Sequence, residues 1–530
     1  LPYPTSKKKC CLTKKFMQQS HRRCRLRVYE KPGRAVRSGG VTPASSCTAR
    51  VQVSPVTMPG KGANMQEDFD AIVIGSGQAG HFLAVRLATS GRKVAFIEQT
   101  HLGGTCVNDG CMPTKTMVAS ARVAHLARRA ADFGVHFAGP VRVDMREVIA
   151  RKTAIVEGAK ASLAKWLAGT ENLTLIWGTA RFVAPHLVEA GGRQLTAPEI
   201  FINTGGRPVI PDWPGLNDVP FLTNTTLMEL ETLPRHLIVA VGSYIGLEFA
   251  QMYRRFGADV TVIEYAADII AREDADVRAA LRAVLQAEGI AIHTHVRDNR
   301  ITATADGLTL TATSDGSKLT VEGSHLLLAV GRRPNTEALN PQAAGIALDS
   351  RGFIQVDDYL RTNVAGIYAL GDVHGRGAFT HTAYNDFEIV AANLLDGAQR
   401  RITDRILAYA LFTDPPLARI GLSETEARAS SRSVLRGFLP MTRVGRAKER
   451  GETAGFMKVL VDADSQRIIG ATLLCIEADE IIHSLLDIMA ADAPYTVIRN
   501  CVHIHPTVSE LIPTLLADMR PLEASAAGAA

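Results

Sequence analysis

The sequence predicts an α/β protein: two Rossmann-type nucleotide-binding domains followed by an α+β C-terminal domain. Two observations carry this expectation. A strand–glycine turn–helix–strand pattern over residues 69–99 recurs 166 residues later, over 235–265. Near the C-terminus, "GFMKVLVDADSQRIIGATLL" (455–474) sets two apolar runs on either side of Asp-Ala-Asp-Ser, a hairpin signal. "ADEIIHSLLDIMAADAP" then follows with helical period.

The first copy reads "FDAIVIGSGQAGHFLAVRLATSGRKVAFIEQ". Gly75, Gly77 and Gly80 form GxGxxG after the apolar run Ala71–Ile74, and Glu98 ends the next apolar run. Such glycines allow a tight turn and the approach of a pyrophosphate to a helix N-terminus. A carboxylate at the end of the second strand accepts ribose hydroxyls.

The second copy reads "RHLIVAVGSYIGLEFAQMYRRFGADVTVIEY". Gly246 matches Gly80 and Glu264 matches Glu98, and each acid lies 18 residues after the last glycine of its turn. Duplication of one architecture follows. Val241 and Ser243 stand where the first two glycines are expected, so the phosphate turn is imperfect and a weakened nucleotide site is predicted. Glu264 favours NADH over NADPH, because a carboxylate there repels a 2′-phosphate. Two dinucleotide sites in one chain imply two cofactors exchanging electrons, a nicotinamide and a flavin.

"GGTCVNDGCMPTK" (103–115) places Cys106 and Cys111 behind a glycine pair, with Lys115 four residues on. Zinc normally takes four ligands, often as CxxC pairs, and the rest of the body offers only Cys475 and Cys501. A structural disulfide closing so small a loop adds little stability. A redox pair fits better. The helical pattern beginning at "CMPTK" puts the thiols near a helix N-terminus, where the dipole and Lys115 favour thiolate.

Bulk properties narrow the function class. The chain has 530 residues, 46% of them hydrophobic, enough for roughly three or four domains. Residues 1–66 hold 14 Lys and Arg against one acid, Glu30, while the remaining 464 hold 45 Lys and Arg against 52 acids. The excess basic charge therefore belongs to the tail, and the body has no net cationic footprint for nucleic acid. The tail reads either as an organellar transit peptide or as translated sequence upstream of Met65. Four of the eight cysteines (Cys10, Cys11, Cys24, Cys47) lie in it. Sparse cysteine in the body argues for a reducing compartment. The expected location is the cytoplasm, or an organellar matrix if the tail is a transit peptide. No apolar run is long enough to span a membrane.

The body resembles the class I FAD-dependent pyridine nucleotide–disulfide oxidoreductases, which include lipoamide dehydrogenase, glutathione reductase and mercuric reductase. The resemblance covers about 67–520. It rests on GGTCVNDGCMPTK (103–115), INTGGRP (202–208), YIGLE (244–248), AVGRRPNT (329–336), GIYALGDV (366–373), FTDPPLARIGLSE (412–424) and HIHPTVSE (503–510). It implies that Gly75, Gly77, Gly80 and Glu98 hold the ADP half of FAD, with Asp372 at the ribityl–pyrophosphate region and Thr380 near the isoalloxazine. Cys111 is then the thiol beside the flavin, and Cys106 is the interchange thiol that meets substrate. Lys115 pairs with Glu248 near flavin N5, and Tyr244 gates the nicotinamide pocket. Thr105, Thr204, Gly242, Gly246, Glu264 and Gly331 complete the cofactor-binding set. His505 is the acid–base, oriented by Glu510 and contributed across a homodimer. Independent chemistry supports that role: a dithiol needs a proton carrier, and histidine suits neutral pH. His503 is read as structural.

The domains expected are a basic tail over 1–66, an FAD-binding domain over 67–212 and 339–402, an NAD(P)-binding domain over 213–338 and a dimerisation domain over 403–524. The expected function is NAD(P)H oxidation through a redox-active Cys106–Cys111 disulfide, with a disulfide or metal ion as acceptor, as in mercuric reductase. Against true mercuric reductase, "LADMRPLEASAAGAA" holds no C-terminal cysteine pair, and no N-terminal CxxC module is present. Dihydrolipoamide dehydrogenase is the alternative. A flavoprotein subunit with impaired nicotinamide turnover is the alternative of another class, motivated by Val241 and Ser243. No nucleic acid or membrane partner and no resident metal are expected.

Overall fold

The computed structural model describes residues 66–523. The basic tail and its cysteines lie outside the described residues, apart from Gln66. Gln66 opens the short strand Gln66–Asp68, which pairs in parallel with Gln194–Thr196.

Five parallel strands build the first nucleotide-binding sheet, in the order Ile367–Ala369, Glu199–Ile202, Ala71–Ile74, Val94–Glu98 and Leu173–Trp177. Ala71–Ile74 and Val94–Glu98 are buried along their whole length. A strand covered on both faces reads as a continuous apolar run, which is why the sequence shows no alternation there. Helix Gln78–Thr89 packs on this sheet through Ala79, Leu83 and Leu87. The edge strand Ile367–Ala369 arrives only after the chain has built the second nucleotide-binding unit.

That second unit repeats the first. Its sheet runs Ala291–His293, Asp259–Ile263, His236–Ala240, His325–Leu328, all parallel. Each unit also carries an antiparallel three-stranded meander, 181–196 in the first and 297–323 in the second. The repeat extends to single hydrogen bonds. Gly75 N donates to Ile97 O at 2.8 Å, and Val241 N donates to Ile263 O at 2.8 Å.

The C-terminal unit is an antiparallel six-stranded sheet, ordered Ala408–Leu411, Leu417–Gly421, Ile468–Leu474, Phe456–Asp462, Val434–Pro440, Arg520–Pro521. The expected hairpin supplies its two central strands. Helix Ala478–Ala490 covers it with Ala478, Ile482 and Leu485, the face that an i, i+4, i+7 pattern buries. Among the described residues, no helix is long and apolar enough to cross a membrane.

Candidate active site

The first glycine turn lies at the C-terminal ends of the parallel strands. Gly75 has φ +96°, and a Cβ there would stand 2.3 Å from the Asn203 carbonyl oxygen. Glu98 shapes the turn from the neighbouring strand. Its Oε2 accepts from Ser76 N at 2.9 Å, and its Oε1 accepts from Gln99 N and Thr100 N at 2.8 and 2.9 Å. Asn203, not foreseen as a site residue, ties the turn to the returning strand. Its Oδ1 accepts from Gly80 N at 2.9 Å, and its Nδ2 donates to Leu370 O at 2.8 Å. Asp386 was also missed. It is buried, accepts from Gly371 N at 2.7 Å and pairs with His374 at 2.8 Å, fixing the turn that carries Asp372.

A cavity of about 1580 Å³ opens along this edge. Its wall runs from Glu98 past Gly75, Gly77, Thr204 and Asp372 to Thr105, Cys106, Cys111, Lys115, Tyr244, Glu248 and Thr380. Gly80 lies behind the wall, in the turn's support. The Thr204 hydroxyl is buried in this wall with no partner among the described residues. Burial raises the Asp372 carboxyl above its usual range, with Arg332 3.8 Å away pulling the other way. A long cavity joining a glycine turn to two thiols, with a spare hydroxyl between them, fits FAD.

The thiols sit on consecutive helices, Cys106 within Gly104–Asn108 and Cys111 opening Cys111–Arg128. Gly104 makes this placement possible. It has φ +58°, and a Cβ there would stand 2.7 Å from Gly77 Cα, so the thiol loop rests directly on the nucleotide turn. Both cysteines are free, and each weighs on the other's thiol. The neighbouring Cys106 thiol, the Thr380 hydroxyl 2.9 Å away and the Lys115 charge outweigh burial and hold the Cys111 thiol below its ordinary value. Cys111 and burial push the Cys106 thiol upward. The two thiols are thus pushed in opposite directions, Cys111 toward thiolate and Cys106 toward thiol.

Lys115 Nζ meets Glu248 Oε2 at 2.7 Å, and Glu248 Oε1 accepts from Phe412 N at 2.9 Å. This pair joins the thiol helix, the second nucleotide unit and the C-terminal sheet. Tyr244 opens helix Tyr244–Phe256 one turn before Glu248. Burial and the Glu273 carboxylate push its phenol up to about 12.

Gly242, Gly246, Glu264 and Gly331 do not line the cavity; the first three form the second nucleotide turn. Glu264 Oε2 accepts from Gly242 N and Oε1 from Ala266 N, both at 2.7 Å, repeating Glu98. Val241 has φ +85°, close to the +96° of Gly75. The turn therefore keeps the glycine conformation despite the β-branched side chain. Ser243 is accommodated for a separate reason. A Cβ at Gly77 would stand 2.8 Å from Asn203 Oδ1, but the corresponding position in the second unit is Ala329, which has no side-chain amide.

His505 is apart from the cavity in this protomer. Its Nδ1 lies 2.7 Å from Glu510 Oε2, and its side chain is 81% exposed. Val502 and Ile504 beside it are also exposed. His503 Nδ1 bonds the Ser509 carbonyl at 2.8 Å, as a structural histidine does.

Comparison with known proteins agrees with this arrangement. Residues 69–386 match the family described as pyridine nucleotide-disulphide oxidoreductase, and residues 407–516 match its dimerisation domain. The chain is 36% identical to a probable pyridine nucleotide-disulfide oxidoreductase, RclA, of Escherichia coli strain K12, over 85% of this chain and 99% of that protein. It is 33% identical to a mercuric reductase of Bacillus cereus, over 79% of this chain and 66% of the relative. It is 34% identical to a dihydrolipoyl dehydrogenase of Thermus scotoductus, over 83% and 95%. A solved structure, the Cu(II) complex of the HOCl-induced flavoprotein disulfide reductase RclA from Escherichia coli, superposes with a TM-score of 0.77 at 35% identity, covering 84% of this chain and 99% of that one. Two duplicated nucleotide turns, a thiol pair between them and these matches lead to one assignment: the chain belongs to the pyridine nucleotide–disulphide oxidoreductase family and is an FAD-dependent member of it.

Proposed function

We propose that this enzyme passes electrons from NADH to a disulfide or a metal ion through the Cys106–Cys111 pair. The observation that carries the reading is the Cys111 sulfur 2.9 Å from the Thr380 hydroxyl on the cavity wall, with Cys106 on the helix before it and Lys115 one turn on. FAD, when bound, supplies the two-electron link between nicotinamide and thiols. The remaining work belongs to the chain. Tyr244 gates the nicotinamide pocket, and Lys115, paired with Glu248, sets positive charge beside the thiolate. Glu264 selects NADH.

Toward a disulfide, His505 of the partner subunit takes the Cys106 proton. The Cys106 thiolate then attacks one substrate sulfur. A mixed disulfide forms and one substrate thiolate leaves, protonated by that histidine. The Cys111 thiolate next attacks the Cys106 sulfur, which releases the second substrate thiolate and restores the Cys106–Cys111 disulfide. This route makes the homodimer obligatory. The mercuric reductase relatives and the Cu(II) complex of RclA favour a metal ion as the alternative acceptor. The dihydrolipoyl dehydrogenase relatives keep lipoamide in view. The proposed location is the cytoplasm.

The test is steady-state reduction of lipoamide, glutathione disulfide, Hg(II), Cu(II) and quinones with NADH and NADPH in parallel. The expected result is Cys106-dependent turnover of a metal ion or disulfide, faster with NADH. Turnover that survives Cys106→Ser with every acceptor would sink the reading.

A further inference from the structure

Two phenols meet on one oxygen of a buried carboxylate. Tyr244 donates to Glu273 Oε1 at 3.0 Å, and Tyr409 donates to the same atom at 2.5 Å. Arg419 stands 3.7 Å from Glu273 Oε2 and donates to the Tyr409 oxygen at 3.2 Å. Three of these groups are firmly held. Tyr409 and Arg419 are direct partners across antiparallel strands of the C-terminal sheet. Tyr409 also stacks on Phe379, at 5.5 Å and 8°, beside Thr380. Glu273 is fixed through its neighbour Asp274, which accepts from Glu424 N, Thr425 N and Lys458 Nζ, each at 3.0 Å. Tyr244 differs. It is the first residue of its helix, it lines the cavity, and its hydroxyl is tethered by Glu273.

We propose that Glu273 is a positioning residue that latches Tyr244 across the nicotinamide pocket and releases it when a nicotinamide ring enters. This rests on the reading of Tyr244 as the gate. The double seat sets how easily the gate opens. A buried carboxylate stripped of its partners is costly. When Tyr244 swings away, Oε1 keeps the Tyr409 hydrogen bond and Arg419 remains close, so Glu273 is never left bare. Tyr409 and Arg419 thus make the latch releasable, and they place its setting under the control of the C-terminal sheet.

The latch predicts opposite signs for two phenol deletions. Tyr244→Phe keeps the ring but removes the tether, so NAD+ should bind about 3–10-fold tighter, the range for one modest hydrogen bond no longer broken on binding. Tyr409→Phe leaves Glu273 with one fewer partner when the gate opens, so NAD+ should bind more weakly by a similar factor. Glu273→Gln keeps an accepting oxygen but weakens the tether, so it should tighten binding by less than Tyr244→Phe, and adding Tyr244→Phe to it should have a smaller effect than in the parent. Calorimetric titration of the FAD-loaded dimer with NAD+ measures all four, with thermal midpoint and flavin content as checks on folding. An unchanged dissociation constant in Tyr244→Phe, or the same sign in both phenol variants, overturns the latch while leaving the functional reading intact. A parent enzyme that binds no NAD+ and whose flavin NADH does not reduce overturns that reading and the latch with it.

Discussion

Val241 adopts the backbone conformation of Gly75, its counterpart 166 positions earlier: φ is +85° at the valine and +96° at the glycine. A β-branched residue in that region is strained by about 1–3 kcal/mol. The surrounding hydrogen bonds match those of the first turn, from Val241 N to Ile263 O and from Gly242 N to Glu264. The fold therefore carries the strain, and the backbone amides keep their aim.

Val241→Gly should consequently stabilise the protein by about 0.5–2 kcal/mol, the relieved strain less the entropy cost of glycine. NADH affinity should change by less than about threefold. Thermal melting and stopped-flow flavin reduction against NADH concentration measure the two effects. A tenfold gain in affinity, about 1.4 kcal/mol, would show instead that the valine side chain obstructs the pyrophosphate and would revive the reading of an enzyme impaired toward nicotinamide.

The lowered Cys111 thiol has a spectroscopic consequence. Anaerobic reduction should give long-wavelength absorbance from the Cys111 thiolate against the flavin. Cys111→Ser should abolish it and Cys106→Ser should retain it. Because the Cys111 thiol lies below its ordinary value, thiolate is present at neutral pH and is lost only as pH falls through the depressed value. A band that already fades near pH 8.5, where free cysteine titrates, contradicts the assignment.

His505→Ala should leave flavin reduction by NADH nearly intact and slow disulfide turnover by about 10²–10⁴-fold, the usual loss for a general acid–base. Metal-ion reduction should suffer less, because it asks for less proton transfer. Equal losses in the two half-reactions would remove His505 from its proposed role.

The buried ammonium of Lys458 faces Asp274, Asp276 and Glu424 at 3.0–3.1 Å. Burial raises the Asp274 carboxyl, but Lys458 and the amides of Thr425 and Glu424 outweigh it and bring the group from 3.8 to about 2. A lowered folded value stabilises the fold above pH 3.8, and that stabilisation is lost as pH falls through about 2. It amounts to about 2 kcal/mol. Asp274→Asn should therefore lower the melting temperature at pH 7, and its gap from the parent should narrow toward pH 3. A gap that is constant with pH would mean that packing, rather than charge, holds this junction.

Much of the site was legible in the sequence because its determinants are local. A glycine turn, a strand-end acid and a thiol pair at a helix start are each specified within some 30 residues, by backbone sterics and burial period. Gly75, Glu98, Cys106, Cys111 and Lys115, each singled out from such local patterns, line one cavity. The duplication was equally visible, down to the acid spacing. Only the tertiary structure decided the rest. Asn203 bridges Gly80 and Leu370, and Glu273 gathers Tyr244, Tyr409 and Arg419. Lys458 is satisfied by carboxylates from two other segments of the chain. These contacts join groups far apart in the chain, and no spacing rule links them, because their geometry follows from how the sheets pack. The same holds for His505. Its motif draws attention to it, yet only the fold shows that its side chain is 81% exposed and held by Glu510.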